Sequence, residues 1–342
     1  MQLPRAVVVG EGALSQLPGL VARLKLGRRC LLLTGKTTAS VAGRRAESLL
    51  EKEHEVELFE VTRASFSCVE EALELAKSLG AEFLVAVGGG KVIDVAKLAA
   101  KRLGVEFISV PTAASHDGIA SARASIKDEG GVASREAVAP LGVLADIEVI
   151  ASAPYRLTAS GCGDVLSKLT ATRDWELAHR ITGEEISEYS IALSRMSARI
   201  VLRSSEQIRS SREGVRRLVK ALISCGVAMS IAGSSRPGSG SEHKFSHALD
   251  MVAQEPALHG EQCGVGAIMM MYLHGGDWVA LREALAEIGA PTCAEELGVS
   301  GDDVVEALLR AREIRPQRYT ILEHVNLDRN KAEKVARATG VV

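Results

Sequence analysis

Residues 82–103 read EFLVAVGGGKVIDVAKLAAKRL, an apolar run that ends in three glycines and passes at once into an amphipathic run. The apolar stretch has the length of a strand buried on both faces, and 91–103 has the period of a helix. A strand feeding a helix through glycine is half of a βαβ crossover, and such crossovers build parallel sheets covered by helices. The flanking chain repeats the pattern. CLLLTG (30–35), VELFEV (56–61), VEFISVPT (105–112) and GVLADI (142–147) read as further strands, with helices expected at 40–53 and at 68–79, the latter stopping at Gly80. SARASI (121–126) and a strand after the KDEGG turn are expected to pair as a hairpin. From about Ile150 the period is helical, with helices expected at 164–180, 188–202, 214–233, 264–274, 278–288 and 302–313 and no convincing strand. The expected fold is an α/β, Rossmann-like N-terminal domain (1–150) followed by an all-α C-terminal domain (151–342), with a ligand cleft between them.

A length of 342 residues fits two domains. The 41 basic and 43 acidic side chains leave a net charge of −2, which gives no electrostatic case for nucleic acid or a membrane surface. No stretch has the apolar length of a membrane span and the N-terminus lacks a signal-peptide pattern, so a cytoplasmic protein without membrane insertion is expected. The six cysteines (Cys30, Cys68, Cys162, Cys225, Cys263, Cys293) form no CxxC pair and read as reduced, mostly buried thiols. GVGAIMMMYL (264–273) is apolar all round, as a helix buried in a bundle would be, and its three methionines read as core filler.

Two segments carry chemistry. Glycine lets backbone approach a phosphate closely, and a helix N-terminus offers N–H groups and the positive end of its dipole. Three glycines at 88–90 therefore point to pyrophosphate binding, although GGGKV is neither GxGxxG nor a Walker loop. The second segment is SEHKFSHALDMVAQEPALHGEQ (241–262), which holds three of the eight histidines. His243 and His247 share a helix face at four-residue spacing, and His259 follows a break at Pro256. Imidazole suits zinc, and a catalytic zinc typically takes three protein ligands and keeps one position open. The cluster points to a divalent metal that works on a substrate. Other candidates have plain local explanations: Asp164 reads as an N-cap for the helix beginning VLSK, Asp117 as an Asp-Gly turn, His247 as a solvated helix face.

Taken together, GGGKVIDVAK, SVPTAASHDGIASARASI (109–126), GCGDVLSKL (161–169), GSEHKFSHALD (240–250) and LHGEQCGVG (258–266) closely resemble the archaeal sn-glycerol-1-phosphate dehydrogenases. That family lies within the superfamily of iron-type alcohol dehydrogenases, glycerol dehydrogenase and 3-dehydroquinate synthase. The resemblance implies a dehydroquinate synthase-like fold, one zinc per subunit, NAD(P)H, and reduction of dihydroxyacetone phosphate to sn-glycerol 1-phosphate, the backbone of archaeal ether phospholipids. It implies Asp164, His243 and His259 as metal ligands. Gly88, Gly89, Gly90, Lys91 and Val92 would hold the cofactor, with Thr112, Ala113, Ala114 and Ser115 as a second contacting segment and Ser121 as a further contact. Asp117, Asp164 and His247 would face the substrate, with His247 or Asp117 serving a proton relay. Lys168, Arg173 and Lys244 are candidates for the substrate phosphate. The ligand set would tolerate iron or nickel as well as zinc.

TGKTT (34–38) lacks the acidic residue that often follows the first strand and repels a 2′-phosphate, so NADPH is expected to serve alongside NADH, with Lys36 and Thr37 meeting the extra phosphate. The nearest alternatives are a glycerol dehydrogenase acting on unphosphorylated substrate and a 3-dehydroquinate synthase-like lyase. The lyase would carry Glu where this chain has Asp164. A binding protein that had lost catalysis would show a broken motif, and here every ligand position is filled. Self-association as a homo-oligomer is expected.

Overall fold

A computed structural model describes residues 2–128 and 131–342. The chain divides into two compact units, Met1–Tyr155 and Arg156–Val342. The first unit is built on a six-stranded sheet of β1 (Ala6–Gly10), β2 (Arg29–Thr34), β3 (Glu55–Glu60), β4 (Phe83–Gly88), β5 (Glu106–Pro111) and β8 (Gly142–Asp146), in the order β1-β8-β5-β4-β2-β3. Every pairing in it is parallel. The central strands are apolar throughout because helices cover both faces, as the buried run of β4 shows. Leu32, Phe83, Val85, Val87, Ile108 and Leu144 pack with Leu17, Leu20, Val21 and Leu50 in one core. A separate hairpin joins β6 (Arg123–Asp128) to β7 (Gly131–Glu136), as expected from SARASI; residues 129 and 130 of its turn lie outside the described residues.

Two features of this unit depart from the sequence reading. β1, which no expectation covered, is a parallel partner of β8 at the sheet edge. The single helix expected at 40–53 is instead a short turn at Lys36–Thr38, a wider turn at Ala39–Gly43 and a helix at Arg44–Leu50. The wide turn brings Gly43 against β2: a Cβ there would lie 2.8 Å from Thr34 Oγ1.

The strand order reverses between β2 and β4. From β2 the chain goes outward to β3; from β4 it goes the other way, to β5 and β8. The loops leaving β2 and β4 therefore part at the carboxyl ends of neighbouring strands, where doubly wound sheets bind dinucleotides. One of those loops is TGKTT and the other is GGGK.

The second unit is helical, with no strand among its described residues. The continuous helix expected at 164–180 is two helices, Tyr155–Leu166 and Lys168–Thr182, meeting at Ser167, whose hydroxyl donates to the Asp164 carbonyl at 2.7 Å. Asp164 lies in the last turn of the first and not at a helix start, so the N-cap reading is corrected. The buried helix expected from residue 264 begins at His259 and runs to Leu273, with Met269, Met270 and Met271 in the core. All six cysteines are free and five are buried. No helix among the described residues is long and apolar enough to cross a membrane.

The Tyr155–Leu166 and His259–Leu273 helices cross in backbone contact. A Cβ on Gly163 would lie 2.2 Å from the Gly260 carbonyl oxygen, and one on Gly260 would lie 1.9 Å from the Ser160 carbonyl oxygen. Neither obstacle is a side chain that can swing away. Gly260→Ala is expected to destabilise this unit by about 1–3 kcal/mol through overpacking. Thermal unfolding checks this; an unchanged midpoint would show that the helices can part at no cost.

Candidate metal centre and dinucleotide loop

The Ser241–Val252 helix presents His243 and His247, and its N-terminus is held by buried Asp174. One carboxylate oxygen of Asp174 accepts from the backbone N–H of Ser241 at 2.6 Å and from its hydroxyl at 2.5 Å. The other accepts from Ile321 N at 2.7 Å and pairs with His274 Nε2 at 2.9 Å. Beside it Glu242, fully buried, accepts from Gly240 N at 2.6 Å and from Thr170 Oγ1 at 2.7 Å. Burial, and then the charge of Asp174, push the Glu242 carboxyl up to about 7.

The histidines are oriented by their second nitrogens. His243 Nδ1 lies 2.9 Å from Glu242 Oε1, and its Nε2 faces Asp164 Oδ1 at 3.7 Å. When Glu242 is ionised, it places the proton on Nδ1 and leaves the Nε2 lone pair for a cation. His259 follows the same rule through a longer chain. Ser246 Oγ donates to Gln262 Oε1 at 2.7 Å, so it receives from His259 Nδ1 at 3.2 Å. The proton again sits on Nδ1, and Cys263 Sγ lies beside the ring, 3.6 Å from Nε2 and 3.9 Å from Nδ1. The two rings stand 4.9 Å apart, centre to centre, and the His247 ring lies tilted 5.8 Å from His259, its Nδ1 3.7 Å from Asp250 Oδ2.

Burial first, and the charge of Lys168 second, hold the His243 imidazole well below its usual range, which keeps it neutral and fit to ligate. Lys168 itself is fully buried; its Nζ lies 2.6 Å from Asp164 Oδ1 and 3.0 Å from the Gly238 carbonyl. Asp164, His243, His247 and His259 thus come together, all within the second unit. Among the described residues, the donor group whose ligand atoms all fall within 4.8 Å of one another is His243, His259 and Cys263, with Asp164 alongside His243. Imidazole nitrogens with fixed protons, a carboxylate and a thiol are a donor set suited to zinc.

The other phosphate candidates separate. Lys244 is buried in a pair with Glu323, at 2.6 Å. Arg173 lines a distinct cavity of about 490 Å³ with Glu176, Arg195 and Met271. Of the three, Lys168 alone stands at the histidine cluster.

In the first unit, the Gly90–Leu103 helix springs from β4 through Gly89. A Cβ on Gly88 would strike Val92 Cγ2 at 2.6 Å and one on Gly90 would strike His116 Nε2 at 2.1 Å, whereas Gly89 faces open space. The loop is thus bare backbone heading a helix, the cradle a pyrophosphate needs. Thr112 N donates to Gly88 O at 3.1 Å, which ties the segment after β5 to the loop; Thr112, Ala113 and Ala114 are buried and Lys91 is exposed. Behind it lies buried Lys97, whose Nζ donates to Arg123 O at 2.6 Å and reaches Asp94 Oδ1 at 3.4 Å and Ser121 Oγ at 3.5 Å. Burial lowers the Lys97 amine, opposed by the carboxylates of Asp94 and Asp117. Asp117 opens a short turn, Asp117–Ile119, where Gly118 N donates to His116 Nδ1 at 2.9 Å.

Sequence reasoning missed Cys263, Glu242, Ser246 and Lys97. Cys263 carried a usable signal, since it follows His259 by the same four residues that separate His243 from His247. Glu242 and Ser246 act only through the rings they orient, and no spacing announces that.

A family model described as iron-containing alcohol dehydrogenase matches residues 8–154. A probable glycerol dehydrogenase from Sinorhizobium meliloti superposes with a TM-score of 0.82 at 24% identity, over 99% of this chain and 97% of that one. A sulfoacetaldehyde reductase from Bifidobacterium kashiwanohense, solved in complex with NAD+, gives 0.79 at 17% identity with the same coverage. The parallel sheet with its glycine loop, followed by a helical unit, is the fold of these solved dehydrogenases and reductases, and the family model matches its first unit. Closer relatives narrow the assignment. A glycerol-1-phosphate dehydrogenase from Methanosarcina acetivorans, designated NAD(P)+, is 56% identical across the whole of this chain and 96% of its own length. One from Thermococcus kodakarensis is 52% identical, across 100% and 98%. The chain belongs to the glycerol-1-phosphate dehydrogenase family.

Proposed function

We propose that this chain is an NAD(P)H-dependent oxidoreductase that reduces dihydroxyacetone phosphate to sn-glycerol 1-phosphate, supplying the glycerol backbone of ether phospholipids. The observation that carries the reading is the pair of imidazoles, His243 buried and His259 half-buried, whose rings meet at 4.9 Å with each Nδ1 engaged by a neighbour and His243 Nε2 facing Asp164. His243, His259 and Asp164 would hold zinc, one per subunit, which when bound supplies a Lewis acid for the ketone oxygen. NAD(P)H supplies the hydride. Gly88 to Val92 would seat the pyrophosphate, with Thr112 to Ser115 and Ser121 as further cofactor contacts. His247, half-buried and stacked on His259, is placed to hold the substrate hydroxyl or pass a proton; Asp117 is the carboxylate assigned to the substrate from the first unit. Lys168 is the cation assigned to the neighbourhood of the substrate phosphate, although its first duty is Asp164.

The deciding experiment compares dihydroxyacetone phosphate with dihydroxyacetone, each with NADH and NADPH, before and after chelation. Turnover of the phosphorylated ketone alone, lost on chelation and yielding the sn-1 enantiomer, is expected. Equal turnover of dihydroxyacetone would favour glycerol dehydrogenase chemistry.

Cofactor choice rests on the loop after β2. Lys36 and Thr37 are exposed there, with no carboxylate between Thr34 and Thr38. NADPH is expected to be used as well as NADH, and Lys36→Glu to weaken NADPH by at least about tenfold relative to NADH, one charge-assisted hydrogen bond being worth about 1.5–3 kcal/mol when intact. Steady-state kinetics with both cofactors check this, and strict rejection of NADPH by the unmodified protein would overturn it. The exposed side chains Tyr189, Met196 and Ile200 on the Glu188–Leu202 helix support the homo-oligomer expectation.

A further inference from the structure

We propose that His116 donates its Nε2–H to the pyrophosphate of the bound dinucleotide. The proposal rests on the dinucleotide reading above and adds a side chain that the sequence pattern left unassigned. Two glycines seat the half-buried ring. A Cβ on Gly90 would lie 2.1 Å from His116 Nε2, and one on Gly118 would lie 2.2 Å from Cε1 and 2.4 Å from Nδ1. Any larger residue at either position would displace the imidazole. The ring's orientation is set at its other nitrogen, where Gly118 N donates to Nδ1 at 2.9 Å. A ring nitrogen that accepts carries no proton, so the proton is on Nε2. Among the described residues that N–H has no hydrogen-bond partner, and Nε2 is not one of the buried polar atoms left unsatisfied, so a ligand can reach it.

Its position decides its use. Nε2 abuts Gly90, the first residue of the Gly90–Leu103 helix, one residue beyond Gly89, which faces open space. The first N–H groups of a helix and its dipole favour an anion there. A ring N–H held against that turn adds a side-chain donor to the backbone donors, and a phosphate oxygen only accepts. The substrate phosphate offers the same chemistry, because Asp117, the next residue, is assigned to the substrate. The competing account makes His116 only a cap for the Asp117–Ile119 turn.

Two substitutions separate these accounts. His116→Asn keeps an acceptor for Gly118 N and loses the distal donor; His116→Gln keeps an N–H near the place of Nε2 and loses the cap. The Kd of NADPH is measured by nicotinamide fluorescence on the full-length protein without substrate. It is expected to rise roughly tenfold or more in His116→Asn, as for a lost hydrogen bond to a charged group, and less in His116→Gln. Binding by His116→Asn that is no weaker than by His116→Gln overturns the proposal and leaves a cap. At saturating NADPH, the KM for dihydroxyacetone phosphate in His116→Asn is expected to stay within about twofold. A KM that rises about tenfold while the Kd of NADPH holds gives the donor to the substrate phosphate and overturns the cofactor assignment. An unmodified protein that binds neither NADH nor NADPH overturns the dinucleotide reading and this proposal with it. One that binds them but reduces no dihydroxyacetone phosphate loses only the substrate reading, and the order of the variants in NADPH binding still decides. If His116→Asn does not fold, the Nε2–H resonance of the unmodified protein, assigned by its absence from His116→Gln, decides: it is expected to shift downfield on NADPH binding, and an unmoved resonance overturns the proposal.

Discussion

Replacing His259 with alanine is expected to remove the metal and lower turnover of dihydroxyacetone phosphate by at least about 10³-fold, the upper end of what one lost oxyanion partner costs. The expectation follows from how the ring is held. Ser246 and Gln262 fix its Nδ1, Gln262 Nε2 is itself held by Asp250 at 3.2 Å, and the ring neighbours both His243 and His247. An imidazole so anchored, with Nε2 left to other donors, has one evident use, and alanine leaves nothing in its place. Metal content and turnover measured on the same preparation should fall together. His247→Ala provides the contrast: turnover should drop while the metal stays, because His247 sits outside the group whose donor atoms converge. Turnover that persists in a metal-free His259→Ala protein would end the Lewis-acid reading.

Much of this was legible in the sequence, for identifiable reasons. Strands buried on both faces must be apolar throughout, so β2, β4, β5 and β8 announce themselves. β1, AVVVG, is as apolar as they are; what sets it apart is only that it is a five-residue strand at the sheet edge with Val7 45% exposed. The histidine cluster was visible because two ligand candidates share one helix and a third begins the next. The surroundings of Lys168 and Cys263 were not. A lysine near a motif looks like a solvated cation, and only the fold shows that it is fully buried beside Asp164. A cysteine outside any CxxC pair looks like a core thiol, and only the crossing of the Ser241–Val252 and His259–Leu273 helices brings it to His243. Glycine misleads in the same way. The run at 88–90 looks like one phosphate device, yet a side chain is excluded at Gly88 by Val92 and at Gly90 by His116, while Gly89 alone opens outward.

The largest stability effect is expected at Lys168. Lys168→Met keeps the length of the side chain and removes the cation that lies 2.6 Å from a carboxylate 1% exposed. Removing one partner of a buried pair costs about 3–5 kcal/mol, because the remaining charge has lost its compensation. For a unit of this size that is a fall in melting temperature of roughly 6–20 °C. Two further measurements give the expectation its content. The loss should be smaller in the zinc-loaded protein than after chelation, since a divalent cation beside Asp164 replaces the missing positive charge. Adding Asp164→Asn to Lys168→Met should restore most of the stability of the chelated protein, because the uncompensated charge is then gone, although metal binding should not return. A double variant as unstable as the single one would mean that Lys168 acts through its hydrogen bond to the Gly238 carbonyl and its packing, and that the charge pair is incidental.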